Sequence, residues 1–139
     1  MAFIIENTTQ IRVRYADTDK MGIVYNGNYL AFFEVGRTEL MRSKGLAYTT
    51  FESEGYLLPL VESHVNYKAP AYYDDLLDIV ATLDVDAITA TLQFNYSIFC
   101  NGNFIADGYT KHSFLKQETM KPVRPPKFFI EKLQLLKII

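Results

Sequence analysis

From Ile88 to Cys100 every second residue is small or apolar. Ile88, Ala90, Leu92, Phe94, Tyr96, Ile98 and Cys100 alternate with Thr89, Thr91, Gln93, Asn95 and Ser97. Only a strand that buries one face and wets the other sustains a period of two over this length. A helix, with its period of 3.6, would scatter the same residues around its whole circumference. The chain must therefore contain a sheet with one covered face. Asn101-Gly102 follows at once, and this is the residue pair that a two-residue hairpin turn favours. A return strand is expected from about Phe104 to Leu115.

The cover for that face lies upstream. Tyr29, Phe32, Phe33, Gly36, Leu40 and Met41 recur at steps of three and four, with Glu34, Arg37, Thr38, Glu39 and Arg42 on the other side. This stripe predicts a long amphipathic helix. Asn26 or Asn28 suits its N-cap, and Lys44-Gly45-Leu46 suits its end. Gly36 costs about 1 kcal/mol against alanine inside a helix, which points to close approach of a sheet. A short helical turn is expected near residues 49–54. Further strands are predicted at Gln10–Tyr15 (Ile11, Val13 and Tyr15 inward), at Val61–Tyr67 and at Leu77–Leu83. Asp17–Gly22 reads as a loop, and Pro70 with Asp74-Asp75 marks a break. Three prolines make Lys121–Lys127 an irregular arm, and Phe128–Ile138 reads as a closing helix.

The order is strand, long helix, four antiparallel strands, which is an α+β class with one helix on one five-stranded sheet. The second sheet face and at least one edge stay uncovered in a single copy. Uncovered edges and apolar faces are normally paired, so a homodimer is expected. With 139 residues, no repeat and no linker, one domain spanning 1–139 is expected. A single cysteine excludes an internal disulfide and a cysteine-rich zinc site. Fourteen basic residues against sixteen acidic ones argue against nucleic acid as the main partner. No apolar run approaches the ~18 residues of a membrane span. The first residues lack the basic and apolar regions of a secretory signal, so a cytoplasmic location is expected.

The densest polar cluster runs from Tyr15 to Tyr29, between a strand and a helix start. Asp17-x-Asp19-x-x-Gly22 matches part of a calcium loop, but Met21 and Asn28 stand where oxygen ligands are needed, and the element before it is a strand. The second chemistry open to this cluster is acyl transfer. A carboxylate ahead of a helix start can face a carbonyl whose oxygen is polarised by a backbone N–H and the helix dipole. Asp19, ionised at neutral pH, would act as base or nucleophile, and Gly27 would ease close approach. From residue types alone, plain turn hydrogen bonds by both aspartates account for the cluster more simply.

The run Val13-Arg14-Tyr15-Ala16-Asp17-Thr18-Asp19-Lys20-Met21-Gly22-Ile23-Val24-Tyr25-Asn26-Gly27-Asn28-Tyr29, continued by Phe33-Glu34 and Arg37, resembles the hotdog-fold acyl-CoA thioesterases of the 4-hydroxybenzoyl-CoA thioesterase type. Tyr67-Lys68-Ala69-Pro70-Ala71-Tyr72-Tyr73-Asp74-Asp75-Leu76-Leu77 is similar to a second block of that family. The resemblance implies a hotdog fold and hydrolysis of an acyl-CoA to a carboxylic acid and coenzyme A. It places Asp19 at the catalytic carboxylate and Asp17 at a variable companion position. Asn26 falls at the residue whose backbone N–H polarises the thioester carbonyl. Relatives carry His or Tyr there, so Asn is a departure that leaves a backbone donor intact. Homodimers, paired into tetramers, would place the site between subunits, with no metal or prosthetic group. Acyl-carrier-protein thioesters are a second class of donor, and a non-catalytic acyl-CoA or lipid-binding regulatory or scaffold module is the alternative.

Tyr25 beside Asp19 is a pocket candidate. Lys68 and Arg124 are candidates for the anionic phosphates of coenzyme A. His64 and His112 both fall in strands and suit structural hydrogen bonding. Cys100 suits packing. No Gly-x-Ser-x-Gly elbow or glycine-rich phosphate loop is present.

Overall fold

The long alternation folds as β5 (Thr91–Cys100), with Leu92, Phe94, Tyr96 and Ile98 buried on one face. Asn101 (φ 51°) and Gly102 (φ 79°) make the hairpin turn, and β6 (Asn103–Ser113) returns antiparallel. This is a computed structural model and it describes residues 2–138. On the other side of β5 lies β4 (Leu76–Asp84), whose Leu77, Ile79, Ala81 and Leu83 are wholly buried. β1 (Ile4–Arg12) adds to β4, and β3 (Leu60–Tyr67) adds to β6. The antiparallel order is β1-β4-β5-β6-β3.

Across this sheet lies α1 (Asn28–Ser43), which buries Tyr29, Phe32, Phe33, Gly36, Leu40 and Met41. The stripe expected from the sequence is the stripe buried. Helix on five-stranded sheet, with a closing helix α3 (Lys127–Ile138), is the hotdog arrangement. The end of α1 is also as expected. Gly45 (φ 73°) donates to the Arg42 carbonyl at 3.1 Å, and Leu46, itself buried, donates to the Met41 carbonyl at 2.8 Å. That pair of bonds satisfies carbonyls a helix otherwise leaves open.

Two glycines set how closely α1 lies on the sheet. A β-carbon on Gly36 would stand 2.8 Å from Cγ2 of Ile79. One on Gly108 would stand 2.0 Å from the His64 carbonyl oxygen and 2.8 Å from the Phe33 ring. The first clash is with the branch methyl of a buried side chain, the second with the backbone of the neighbouring strand.

Several expectations need correction. The first strand starts at Ile4 and stops at Arg12, because Asn7 and Thr9 hide its alternation. Tyr15 does not face inward. It sits in a 3-10 turn (Tyr15–Asp17) and is 79% exposed. The N-cap of α1 is Gly27, not an asparagine, and the Asn28 amide group instead donates to the Asp17 carbonyl at 2.8 Å. The proline-rich arm contains β8 (Lys121–Pro122), which joins β2 (Tyr56–Leu57) and β7 (Leu115–Lys116) in a second small sheet beside α2 (Tyr48–Ser53). The uncovered face of the main sheet is largely polar, with Thr91, Gln93, Asn95 and Lys111. Unpaired apolar surface is found instead at edge strand β3, where Leu60, Val61 and Tyr67 are each about half exposed.

One polar chain runs through the core. The neutral His112 ring donates from Nδ1 to the Leu58 carbonyl (3.2 Å), because a carbonyl only accepts. Its Nε2 then accepts from the Thr110 hydroxyl (3.0 Å), and Thr110 in turn accepts from the Tyr96 hydroxyl (2.6 Å). Arg37, its side chain 12% exposed, donates from Nε to the Tyr48 hydroxyl at 3.1 Å. Burial and the nearby Arg37 charge push His112 down to about 4, with the Leu58 bond opposing them.

Gly108→Ala is expected to destabilise by at least the ~1–3 kcal/mol of ordinary overpacking. Gly36→Ala, which meets only a methyl group and gains helix propensity, should cost less, and urea midpoints of the two variants check the order. His112 binds a proton near 6.5 when unfolded but only near 4 when folded. Stability should therefore fall as pH drops from about 6.5 towards 4, by on the order of 3 kcal/mol from this group. Urea titrations across that window should show a shallower fall in His112→Gln.

Candidate active site

β1 ends at Arg12, and the next residues turn towards the start of α1 under the control of Asp17. Its carboxylate accepts from the Arg14 backbone N–H (2.8 Å) and from the Arg14 guanidinium (3.0 Å). Its carbonyl accepts from the Tyr25 N–H at 2.9 Å and from the Asn28 side chain at 2.8 Å. Burial pushes the Asp17 carboxyl up, but the hydrogen bonds and charge of Arg14 outweigh it and hold it below the usual carboxylate range. Asp17 is thus committed to the loop itself. With its carboxylate held by Arg14, the calcium-loop alternative has no support.

The other aspartate faces differently. Asp19 Oδ1 accepts from the Met21 N–H at 2.8 Å, and its backbone pairs with Ile23 and Gly22 in a tight turn. Its Oδ2 has no hydrogen-bond partner among the described residues. A bridge from Thr18 to Val24 closes this turn, and one from Ile23 to Tyr72 lashes it to the segment before β4.

A cavity of about 500 Å³ opens beside the turn. Its polar lining comes from Asp19, Asn26 and Lys68, and its apolar walls from Ile23, Val24, Tyr29, Tyr67 and Pro70. Three candidates separated by up to 49 positions in the chain therefore meet at one opening. Asn26, just ahead of α1, and Tyr29, in its first turn, line the same cavity. The Asn26 and Gly27 amides donate to no acceptor among the described residues, and Gly27 provides no side-chain cap. Free amides at a helix start favour an oxygen that carries or develops negative charge.

The remaining candidates lie elsewhere. Tyr25 is exposed and does not line the cavity; its ring covers Gly27, where an added β-carbon would stand 2.8 Å away. Arg124 is exposed on the segment between β8 and α3, away from the cavity lining. His64 is exposed on β3 and stacks with Tyr109, while His112 belongs to the core. Burial, with Asp75 and Asp78 nearby, pushes the Cys100 thiol up, which disfavours the nucleophilic thiolate. Among the described residues no group of three or more His, Cys, Asp or Glu side chains gathers to hold a metal. No helix among them is long and apolar enough to cross a membrane.

Tyr67 was not among the sequence candidates. Its hydroxyl donates to the Asn26 carbonyl at 3.1 Å, and its ring meets that of Tyr29 edge-on at 5.3 Å. The available signal was its place as the last residue of a strand just before the Pro70 break.

Known proteins match this chain over most of its length. Residues 13–133 fit the model of the thioesterase-like superfamily. YneP of Bacillus subtilis is 36% identical over 121 residues, 86% of this chain and 87% of its own. The Haemophilus influenzae acyl-CoA thioesterase YbgC is 35% identical over 118 residues, covering 84% and 86% of the two chains. The DHNA-CoA thioesterase of Staphylococcus aureus superposes with a TM-score of 0.87 at 29% identity, over 96% of this chain and 91% of that one.

Asp17→Asn should loosen the loop that carries Asp19. Losing charged hydrogen bonds costs about 1.5–3 kcal/mol each at most, and the loss should show as a lower urea midpoint at pH 7. Because the folded carboxyl lies below its unfolded value of 3.8, its stabilisation is present above that pH and lost as pH falls through the folded value. The gap between variant and parent should therefore narrow in strong acid.

Proposed function

Because this chain belongs to the thioesterase-like superfamily, we propose that it is an acyl-CoA thioesterase whose single domain, residues 1–139, hydrolyses the thioester at the cavity beside α1. The carrying observation is that Asp19 and Asn26, whose amide has no acceptor among the described residues, border one cavity. A thioester seated there presents its carbonyl oxygen to the Asn26 N–H. The helix dipole then stabilises negative charge as it develops on that oxygen. Asp19, with Oδ2 free, either takes a proton from an attacking water or attacks the carbonyl carbon itself. In both routes the C–S bond breaks, the thiolate of coenzyme A leaves and is protonated, and water supplies the new oxygen of the carboxylic acid.

Lys68 in the cavity lining suits the anionic part of coenzyme A; Tyr25 and Arg124, outside that lining, would meet only parts of the ligand that extend beyond the cavity. No metal or prosthetic group enters this chemistry. Acyl-carrier-protein thioesters present the same bond and are a second donor class for the same site. The half-exposed edge of β3 supports pairing with a second copy, which would bring strand residues of one subunit towards the site of the other; two such dimers make the proposed tetramer. A cytoplasmic site of action belongs to the same proposal.

Thiol release from a panel of acyl-CoAs tests it. Turnover is expected with at least one acyl group. Asp19→Asn and Asp19→Ala should lower kcat by about 10²–10⁴-fold, the usual contribution of such a group, with the unfolding midpoint retained. Saturable binding without turnover across the panel would favour a non-catalytic acyl-CoA or lipid-binding module. Full activity in both variants would remove Asp19 from the mechanism.

A further inference from the structure

We propose that Tyr67 is a positioning residue that holds Asn26, at the start of α1, from the end of strand β3. The proposal rests on the hydrolase reading above, in that the Asn26 N–H is the group which meets the thioester carbonyl.

Two peptide units form the open end of the helix. The Tyr25 carbonyl accepts from the Asn28 N–H at 2.9 Å, so the Tyr25–Asn26 unit is held by an ordinary turn bond. The Asn26 carbonyl accepts from the Tyr29 N–H at 3.3 Å, which is longer and weaker. This second unit is the one that also receives the Tyr67 hydroxyl, at 3.1 Å. It leads into Gly27, a residue with no side chain to restrain it and no side-chain cap to offer. The peptide plane is rigid, so holding the Asn26 carbonyl restrains the backbone torsion at Asn26, the residue that lines the cavity.

Tyr67 can perform this although it is half exposed, because its ring is seated. It meets Tyr29 edge-on at 5.3 Å, and Tyr29 meets Phe32 edge-on at 5.8 Å. Tyr29 and Phe32 are both buried against the sheet. The hydroxyl is thus referenced to the core through two rings. In a helix start that lacks a capping side chain of its own, the restraint comes from a residue 41 positions away in the chain.

Tyr67→Phe keeps the ring and removes only the hydroxyl. Turnover should fall about tenfold in kcat with KM within twofold, while the unfolding midpoint stays at the parent value. In the unliganded protein the amide proton and nitrogen resonances of Asn26 and Gly27 should move, and those of α1 beyond Leu30 should not. A kcat within twofold of the parent overturns the proposal, as does a raised KM at unchanged kcat, which would make Tyr67 a cavity wall only. Unmoved Asn26 and Gly27 resonances overturn it as well. If the parent hydrolyses no acyl-CoA, the hydrolase reading falls, and the amide resonances still decide whether the hydroxyl positions the helix start.

Discussion

The ring of Phe33 lies nearly parallel to that of Tyr96, 4.2 Å between centroids, and directly over Gly108. No residue with a β-carbon at position 108 leaves room for that ring or for the carbonyl of His64 on the next strand. Gly36, one turn on, lets the helix backbone down onto Ile79 in the same way. These two absences of side chain set the height of α1 above the sheet. Height, in turn, decides where its N-terminal turn stands relative to the end of β3. The cavity, the reach of Tyr67 to Asn26 and the convergence of Asp19 with Lys68 all follow from that one separation.

What sits between helix and sheet is not wholly apolar. Arg37, Tyr48, Tyr96, Thr110 and His112 form a polar seam that ends on the Leu58 carbonyl, just ahead of β3. Chemistry fixes the direction of the bonds from Tyr96 to Leu58: each hydroxyl has one proton to give, and the final acceptor cannot donate. Buried polar chains of this kind tolerate no missing member, since each partner left alone carries its full desolvation cost. The seam therefore links Arg37 of the helix, beside Tyr96, to the loop before β3.

Most of the fold was legible in the sequence because its long elements are strictly periodic. The α1 stripe and β4 bury the residues their spacing marks, and β5 does so from Leu92 to Ile98, whereas Ile88 and Ala90 fall ahead of the strand and Ala90 is exposed. β1 escaped because Asn7 and Thr9 occupy inward positions, half-buried at the sheet border where polar groups still reach water. The N-cap escaped because asparagines on both sides offered better capping chemistry than Gly27, and the Asn28 side chain was drawn away to the Asp17 carbonyl. At the site, Asp19 and Asn26 could be found from local order, being short of a helix start by a few residues. Lys68 and Tyr67 reach the same cavity only through the β3–β6 pairing, a long-range register that no local pattern encodes. The separate fates of Asp17 and Asp19, one bound by Arg14 and the other with an oxygen free, depend on side-chain geometry and not on spacing.

Strand β1 pairs, among the described residues, with a strand far along the chain, Ile4 opposite Asp84. During synthesis at ~5–20 residues per second, the partner of Ile4 is made roughly 4–16 s after it. From Ser43 onward α1 is complete, while of the strands it packs on only β1 has been made. Nascent chains must then carry Phe32, Phe33, Leu40 and Met41 uncovered on the ribosome, with β5 and β6 still to come. A fold centred on a helix that precedes nearly all of its sheet is thus one that can close only late in translation. The first half of this chain is the part whose apolar surface waits longest for its cover.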